Sequence, residues 1–373
     1  MSEFETMRLG ELLKFQNGRL SPERFERGKF CVYGSNGVIG RADSSNAPGP
    51  SVVIGRVGSY CGSVYFVRED CWVTDNAIQA RGIGSMDNRY LYYLALHTGL
   101  NNWRTGSGQP LLNQSTLSAI PVQATTDEFE QRAIAEMLGV LDDKIESNNR
   151  LADLLIQLAR MILETGENEV RLGDIATCDK GLSYKGDGLQ EDPSVGLPMV
   201  NLANFGVNGW LNSEKLKYYS GEYKERHILK AGDLVVANTD LTQQRIIIGR
   251  PALVPPSLGK AIFTHHVTAI RPLNDEKLRL PIWAQLNSPA FRERAEGFAT
   301  GTTVAGMPVE ALLDFNVRIP DEGIISDAQE LLERVWVAES ESRSLKNAKE
   351  ILMPELLSGR MRVKDAESMM ENV

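Results

Sequence analysis

Hydrophobic positions in residues 127–164 recur in steps of three and four, as they do on one face of a helix. The segment contains no proline and a single glycine, Gly139. Its spacing predicts a long helix that packs on another helix through a heptad seam, with Asn148 as a polar seam position that fixes the register. An ordinary amphipathic core helix is the alternative interpretation. The apolar seam positions are Ile134, Leu138, Leu141, Ile145, Ala152, Leu155, Ala159 and Ile162.

A second helical pattern lies in residues 322–360. Pro354 lies near its end and is expected to kink the helix or to end its regular part, because proline lacks a backbone N–H. Each long helix needs an apolar partner, so we expect the two segments to pair with each other. The seam positions of this second segment are Leu331, Val335, Ala338, Ser342, Leu345, Lys349, Leu352 and Leu356.

Short motifs in the first part of the chain return in the same order in the second part. MRLGE at residues 7–11 recurs as VRLGD at residues 170–174, and Thr105-Gly106 recurs as Thr300-Gly301. A single repeat of this length predicts two similar domains rather than a solenoid, the second about thirty residues longer in its middle. The remaining matches are Leu117, Ile120 and Val122 with Leu312, Phe315 and Val317.

The local patterns outside the long helices indicate strands and helices in each half, so the expected fold class is α+β with a curled, mostly antiparallel sheet in each half. Strands are expected at residues 51–54, 62–67, 71–74, 233–237, 245–248 and 266–270, and helices at residues 88–97 and 280–298, the latter entered near Pro281. The expected divisions are a first domain at 1–126, a central helix at 127–165, a second domain at 166–320, a C-terminal helix at 321–362 and a tail at 363–373.

Composition indicates a globular protein without a membrane span. The 373 residues are 42% hydrophobic and 24% charged, with a mean hydropathy of −0.24. No apolar stretch approaches the roughly 20 residues that cross a bilayer, and no secretory signal is visible at the start. The four cysteines show no CxxC spacing, so we expect no zinc site and no disulfide framework, and a cytoplasmic location.

The net charge of −9 at first argues against a nucleic-acid partner, but its distribution changes that conclusion. Residues 127–164 and 321–373 each carry a net charge of −5, which together exceeds the whole negative excess. Residues 18–122 instead contain ten basic and seven acidic residues, and nine of the basic residues are arginine, whose planar fork suits phosphates and guanine edges. Charge alone leaves DNA binding and an ordinary solvated surface open.

The ordered set of motifs resembles the specificity subunits of type I restriction-modification systems. The first half contains YGSNGVIG at 33–40, VVIGRVGSYCG at 52–62 and GSGQPLLNQSTLSAIPV at 106–122, followed by EQRAIAEMLGVLDDKIE. The second half contains GDLVVANTD at 232–240, GTTVAGMPVEALLDFNV at 301–317 and ELLSGR at 355–360. The likeness covers nearly the whole chain, although the loop GTTVAGMP lacks the Gln-Pro and Asn-Gln of its first-half counterpart.

The resemblance implies a non-catalytic protein that works with partner subunits. Each globular half would be a mixed α/β target recognition domain reading a few base pairs of double-stranded DNA. The two long helices would form an antiparallel coiled coil that spaces these domains, so the target would be bipartite with a non-specific gap. Two methyltransferase subunits would dock on the helices and bind S-adenosylmethionine, and nuclease/translocase subunits would join for restriction. The chain itself would need no cofactor.

A surface that reads DNA needs exposed polar side chains on loops held by a rigid sheet. Asn and Gln suit adenine, and Arg suits guanine. Each candidate could instead be a turn former or an ordinary surface residue, and His265-His266 could be half of a metal pair. The candidates in the first half are Ser35, Asn36, Arg56, Tyr60, Thr74, Asn76, Arg104, Ser107, Gln109 and Asn113. Those in the second half are Asn238, Thr239, Thr242, Gln243, Gln244, Arg245, His265, His266, Thr302 and Thr303.

Two other classes of function remain open, an enzyme and a protein-binding adaptor. A methyltransferase needs a glycine-rich loop, and the nearest fragment, residues 82–84, lacks the third glycine. A metal nuclease needs clustered carboxylates near a lysine, a form that Glu222-Tyr223-Lys224 has but that chance also produces. An adaptor would use the long helices for protein contacts alone.

Overall fold

The computed structural model describes residues 4–106, 110–184, 186–206, 209–213, 216–242, 244–301 and 304–370. The chain divides into two units. The first unit combines the residues up to Glu146 with those from Arg343 onward, and the second unit spans Ser147–Ser342. Each unit contains both helices and strands, so the expected α+β class is confirmed.

In the first unit, short strands alternate with short helices until a long helix begins. The strands are β1 (Glu5–Arg8), β2 (Leu13–Asn17), β3 (Phe30–Gly34), β4 (Gly37–Ala42), β5 (Ser51–Gly55), β6 (Val64–Val67), β7 (Trp72–Val73), β8 (Ala77–Gly82) and β9 (Pro121–Ala124). The helices are α1 (Leu9–Leu12), α2 (Asn88–His97), α3 (Gln114–Ala119) and α4 (Glu128–Leu163), the last of which ends in the second unit.

The second unit repeats this alternation with more strands. The strands are β10 (Asn168–Arg171), β11 (Ala176–Lys180), β12 (Leu189–Gln190), β13 (Leu197–Val200), β14 (Lys217–Tyr219), β15 (Ile228–Leu229), β16 (Leu234–Ala237), β17 (Thr239–Asp240), β18 (Pro251–Leu253), β19 (Ala261–Phe263), β20 (Val267–Pro272), β21 (Ala305–Gly306) and β22 (Asn316–Ile319). The helices are α5 (Leu172–Ile175), α6 (Arg279–Leu286), α7 (Pro289–Phe298), α8 (Val309–Leu313) and α9 (Glu322–Leu357), and α10 (Val363–Met370) follows in the first unit.

Each unit contains a four-stranded antiparallel sheet with the same order of strands. The order is β2-β8-β5-β6 in the first unit and β11-β20-β16-β18 in the second. The apolar residues of β5 and β16 are fully buried, which explains why both strands read as continuous hydrophobic runs. The first unit adds the sheet β4-β3-β7, and the second adds the sheet β12-β14-β13-β19-β15 and the pair β17-β21.

The repeated motifs form the same two-stranded ribbon in both units. β1 pairs with β9 and places Met7 opposite Val122, while β10 pairs with β22 and places Val170 opposite Val317. The backbone N–H of Leu9 donates to Ile120 O at 2.9 Å, and Leu172 donates to Phe315 O at 2.8 Å. The ribbon therefore joins the beginning and the end of each globular part.

The long helices bury their predicted seams within each unit. In the first unit, Ile134 and Leu138 of α4 share a core with Leu352 and Leu356 of α9, and the Lys349 ammonium donates to Asp142 Oδ1 at 2.5 Å. In the second unit, Ala152, Leu155 and Ala159 share a core with Leu332 and Val335. The polar seam position Asn148 is buried there, and its Nδ2 donates to Glu341 Oε2 at 2.8 Å.

One predicted strand is wrong, and one predicted helical stretch is divided in two. Residues 245–248 form a loop and not a strand. Residues 280–298 form two helices, because Ser288 Oγ caps α7 by accepting from Phe291 N at 3.3 Å and Pro289 begins the new helix. Pro354 lies inside α9, which continues to Leu357.

The C-terminal tail belongs to the first unit. After Gly359, which has a φ of +73°, the chain enters α10. Ala366 of α10 is fully buried in the core that contains Leu356, and Arg362 Nη1 donates to Glu130 Oε2 on α4 at 3.1 Å. None of the described helices combines the length and the apolar composition that crossing a bilayer requires.

Candidate nucleic-acid interface

Three loops of the first unit meet beyond the end of β5. The backbone N–H of Arg56 donates to Asn76 O at 2.9 Å, in the turn before β8. The N–H of Leu112 donates to Arg56 O at 2.9 Å, which attaches the segment before α3. Gly58 N also donates to Pro110 O at 3.1 Å. The three loops therefore form one continuous surface whose shape is set by backbone hydrogen bonds.

The second unit builds the same arrangement beyond the end of β16. The N–H of Asn238 donates to His266 O at 3.0 Å, in the turn before β20. The N–H of Met307 donates to Asn238 O at 2.9 Å, which attaches the segment before α8. Arg56, Asn76 and Leu112 thus have Asn238, His266 and Met307 as their structural counterparts.

A closed turn completes each surface. Thr105 and Leu111 exchange two backbone hydrogen bonds of 2.9 Å each, and Thr300 and Gly306 exchange two of 3.0 and 2.8 Å. These turns contain the repeated Thr-Gly dipeptide, and the glycine in each has a positive φ, +100° at Gly106 and +112° at Gly301. Glycine adopts such values without the steric cost that a side chain brings, which explains the dipeptide in both halves.

Several of the predicted contact residues of the first unit are exposed on this surface. Asn36 lies in the turn between β3 and β4, and Asn76, Tyr60 and Arg104 lie on the three loops. Ser35 lies beneath them, since its Oγ donates to Asn76 O at 2.5 Å and accepts from Val57 N at 3.3 Å. The exposed groups supply amide, phenol and guanidinium donors, which suit both base edges and phosphates.

Three other predicted contact residues of the first unit turn inward, and two of them bind the backbone of the loops. Thr74 is fully buried. Arg56 is half-buried, and its guanidinium donates to Asp75 O at 3.3 Å. Asn113 caps α3, because its Oδ1 accepts from Thr116 N at 2.8 Å. Residue type alone does not separate these inward side chains from the exposed ones.

In the second unit, Thr242 and Gln244 are exposed, and Thr239, Arg245, His265 and His266 are half-buried. The Nδ2 of Asn238, 8% exposed, donates to Thr268 Oγ1 at 3.0 Å, so this side chain supports the surface. The Arg245 guanidinium donates to Ala299 O at 3.2 Å. Ser107, Gln109, Gln243, Thr302 and Thr303 lie outside the described residues.

The rings of the two adjacent histidines, in the turn before β20, lie against each other with a tilt of 39°. Their ring centroids are 3.9 Å apart, and His266 Nδ1 lies 2.8 Å from Thr239 Oγ1, within hydrogen-bond distance. Burial and the neighbouring His265 lower the pKa of His266 below its ordinary value. His266 therefore stays neutral at neutral pH and can both donate and accept a hydrogen bond. Within the described part of the chain, no three His, Cys, Asp or Glu residues lie close enough together to hold a metal ion.

The second surface contains a longer loop than the first. Gly62 N donates to Gly55 O at 2.8 Å and closes the first loop, and Gly249 N donates to Ala237 O at 2.7 Å and closes the second. Residues 56–61 thus correspond to residues 238–248, five more. Asp240, the buried carboxylate of this longer loop, was not among the predicted site residues, although Asp commonly accepts a hydrogen bond from the backbone N–H two residues on in turns.

Comparison with known proteins finds a matching family. Residues 1–155 match the family described as the type I restriction modification DNA specificity domain. Residues 1–155 therefore contain a type I restriction-modification DNA specificity domain, and the chain is similar to the specificity subunits of such systems. It is 23% identical to the EcoprrI specificity subunit of Escherichia coli over 158 residues, which cover 41% of this chain and 39% of that protein. It is 23% identical to the MjaVIII specificity subunit of Methanocaldococcus jannaschii over 322 residues, which cover 75% and 72%.

A solved specificity subunit also has the same fold. The crystal structure of the type I restriction-modification S subunit from M. genitalium superposes with a TM-score of 0.63 at 15% identity, over 95% of this chain and 96% of that one. Specificity subunits are the DNA-recognition components of their systems, and the enzymatic activity lies in partner subunits. The two loop surfaces are the candidate sites of this chain for such DNA recognition.

Proposed function

We propose that this chain acts as a specificity subunit and reads a bipartite target in double-stranded DNA, one part with each loop surface. The observation that supports this most directly is the repeated arrangement of three loops beyond β5 and beyond β16, with equivalent backbone hydrogen bonds. A rigid arrangement of loops with different side chains in its two copies suits the reading of two different short sequences.

The proposal assigns different roles to the exposed and the buried polar residues. Asn36, Tyr60, Asn76 and Arg104 contact the half-site read by the first unit. Thr242, Gln244 and the edge of His266 contact the half-site read by the second unit, and Thr239 orients His266. The candidates that lie outside the described residues remain predictions, namely Ser107, Gln109, Gln243, Thr302 and Thr303. The long helices α4 and α9 act as an antiparallel coiled coil that spaces the two domains and so sets the gap in the target.

The same proposal includes partner subunits that act on the DNA in the cytoplasm. Two methyltransferase subunits bring S-adenosylmethionine for adenine methylation, and nuclease/translocase subunits join for restriction. Four apolar side chains are exposed at helical spacing on the part of α4 that belongs to the second unit. An exposed apolar patch of this kind supports a docking site for the methyltransferase subunit on α4. These residues are Leu151, Leu154, Leu158 and Met161.

The test compares two alanine variants in the complex with the methyltransferase subunit. Genomic DNA methylated by each complex is read by long-read sequencing, which gives both half-sites. Arg104→Ala should relax only the half-site of the first unit, and Gln244→Ala only that of the second. A lost bidentate contact reduces discrimination by about 1–3 kcal/mol, or roughly 5-fold to 150-fold.

Arg81→Ala is the matched control, because Arg81 is an exposed arginine on β8 outside the three loops. It should leave both half-sites unchanged. If Arg104→Ala and Gln244→Ala changed both half-sites equally, or if the wild-type complex methylated without a two-part motif, the proposed function would be wrong.

A further inference from the structure

A buried carboxylate organises the longer loop of the second unit. Asp240 is 1% exposed. Its Oδ1 accepts from the N–H and the hydroxyl of Thr242 at 2.7 Å each, and its Oδ2 accepts from Ile247 N at 2.5 Å and Ile248 N at 3.0 Å. One side chain therefore joins the beginning of the loop to its end, and it satisfies three backbone N–H groups that no strand partner binds.

An arginine from α7 binds the carbonyl groups of the same loop. The Arg292 guanidinium donates to the carbonyl oxygen of Ile248, and its Nη2 donates to Arg245 O at 3.3 Å and Ile246 O at 3.4 Å. The guanidinium is planar and has five N–H donors, so it can bind several carbonyls in a fixed geometry. The negatively charged Asp240 thus binds backbone N–H groups of the loop, and the positively charged Arg292 binds its carbonyl groups.

The loop held in this way has a demanding backbone conformation. Arg245 has a φ of +51°, and it is the one residue other than glycine with a positive φ in the described part of the chain. A left-handed conformation costs about 1–2 kcal/mol for a residue with a side chain, so surrounding contacts must maintain it. The contacts of Arg292 with Arg245 O and of Arg245 with Ala299 O provide that support.

The side chains between these attachments point into solvent. Leu241, Thr242 and Gln244 are exposed, and all three lie between Asp240 and the Arg245 turn. Without Asp240 and Arg292, the loop would retain its sequence but lose the contacts that determine where Thr242 and Gln244 project. Preorganised contact residues are the ones that discriminate between bases, because a mobile residue adapts to more than one base.

We propose that Asp240 and Arg292 are positioning residues for DNA recognition, which fix the described residues of loop 241–248 (241–242 and 244–248) in the positions that read the second half-site. Neither side chain needs to touch DNA. The inference rests on the proposed function, since it names the residues that give one of the two reading surfaces its specificity. It also assigns a role to Arg292, which lies on a helix and far along the chain from the loop.

The test uses Asp240→Asn in the complex with the methyltransferase subunit, with genomic methylation read by long-read sequencing. Asparagine has the same shape, but it replaces one acceptor oxygen with an NH₂ group that faces backbone N–H groups. We expect discrimination at the second half-site to fall about tenfold or more, while the first half-site stays unchanged. Arg292→Lys keeps the charge, loses the planar fork and should relax the same half-site.

Asp233→Asn is the matched control in the same unit. Asp233 Oδ2 accepts from Lys230 N at 2.9 Å and from the Arg271 guanidinium, so the variant also removes a partly buried carboxylate with an arginine partner. It lies outside loop 241–248 and should leave both half-sites unchanged. This control separates a loss of loop positioning from a general loss of stability.

The possible outcomes distinguish the inference from the function on which it rests. A wild-type complex that methylates without a two-part motif would overturn the proposed function. A two-part motif that Asp240→Asn and Arg292→Lys both leave intact would overturn the inference alone, as would equal relaxation by Asp233→Asn. If Asp240→Asn fails to assemble with its partner, Arg292→Lys decides the question by the same measurement.

Discussion

The two candidate reading loops, one after β5 and one after β16, occupy equivalent places, yet they are stabilised by different means. The two ends of each loop, here called its neck, are joined by an equivalent backbone hydrogen bond, from Gly62 N to Gly55 O and from Gly249 N to Ala237 O. The short loop needs few further stabilising contacts, because it forms a single turn in which Cys61 N donates to Gly58 O at 3.0 Å. The long loop contains more polar backbone than it can pair within itself, so the buried Asp240 and Arg292 bind it instead.

This difference shows how one domain plan can hold two unlike reading surfaces. The sheet and the neck are the same in both units, and they position the ends of each loop. The loop itself can lengthen if charged side chains from the neighbouring structure replace the missing backbone partners. In the proposed function, specificity resides in the exposed residues of the loop, and side chains beneath the loop stabilise its added length.

The largest effect is expected at the necks. A methyl group added at Gly62, where φ is +92°, would lie 2.3 Å from Asn101 N. At Gly249, where φ is +73°, it would lie 2.5 Å from Ala295 Cβ. Gly62→Ala and Gly249→Ala should each lower the free energy of unfolding by about 2–5 kcal/mol, from backbone strain and overpacking together. Thermal and denaturant unfolding followed by circular dichroism would measure this.

Gly58→Ala is the control for strain without a clash, since Gly58 has a φ of +75° and no atom within 4 Å of the added methyl group. This variant should lower the free energy of unfolding by only about 1–2 kcal/mol. A loss at Gly58 as large as that at Gly62 would show that the necks have no special role.

The next effect concerns α4 and tests whether its exposed apolar side chains bind the methyltransferase subunit. Leu154 is 64% exposed, so Leu154→Asp should hardly change the melting temperature of the isolated chain. It should weaken binding of the methyltransferase subunit about tenfold or more, because burying a leucine contributes about 1.5–3 kcal/mol. Leu273→Asp, at an exposed leucine of the same unit outside the long helices, is the control. Equal affinity of both variants in calorimetric titration would exclude this docking site.

The smallest effect is a pH dependence that only the longer loop should show. Burial opposes the ionisation of Asp240, but its hydrogen bonds to Thr242, Ile247 and Ile248 prevail and lower its pKa. The stabilising contribution of Asp240 is therefore complete above the ordinary carboxyl value of about 4, and it is lost as the pH falls through the lowered pKa. Each unit of pKa depression corresponds to about 1.4 kcal/mol.

The measurement compares the free energies of unfolding of wild type and Asp240→Asn between about pH 6 and pH 3, where Asp240 titrates in the unfolded chain. The advantage of the wild type should be constant at the upper end and shrink at the lower end. Parallel curves over the whole range would contradict the role of the ionised carboxylate.

The long helices and the two-stranded ribbons could be predicted from the sequence, because they depend on local and repeated patterns. The seam from Ile134 to Ala159 is buried as its spacing indicated. The two RLG motifs correctly marked equivalent ribbons, in which Met7 lies opposite Val122 and Val170 lies opposite its counterpart, Val317. The helix expected at residues 88–97 has those same bounds in the structure.

The sequence was less informative where remote side chains decide the local structure. The run Arg-Ile-Ile-Ile at residues 245–248 has strong strand propensity, but Arg292, more than forty residues away, holds its carbonyls in a loop. Thr74 and Asn76 are both polar turn residues, yet one is buried and the other exposed. Which way a polar side chain points depends on its partners in space, and single-sequence patterns do not contain that information.

The two-stranded ribbons have a consequence for how new specificities could be obtained. β10 begins soon after α4 ends, β22 ends just before α9 begins, and the two strands lie side by side. The chain segment that carries the second loop surface therefore begins and ends at two neighbouring, paired strands. Residues 172–315 could be exchanged as a unit for another sequence with matching end strands, provided that the new sequence also packs on the faces of α4 and α9 that share the core of the second unit.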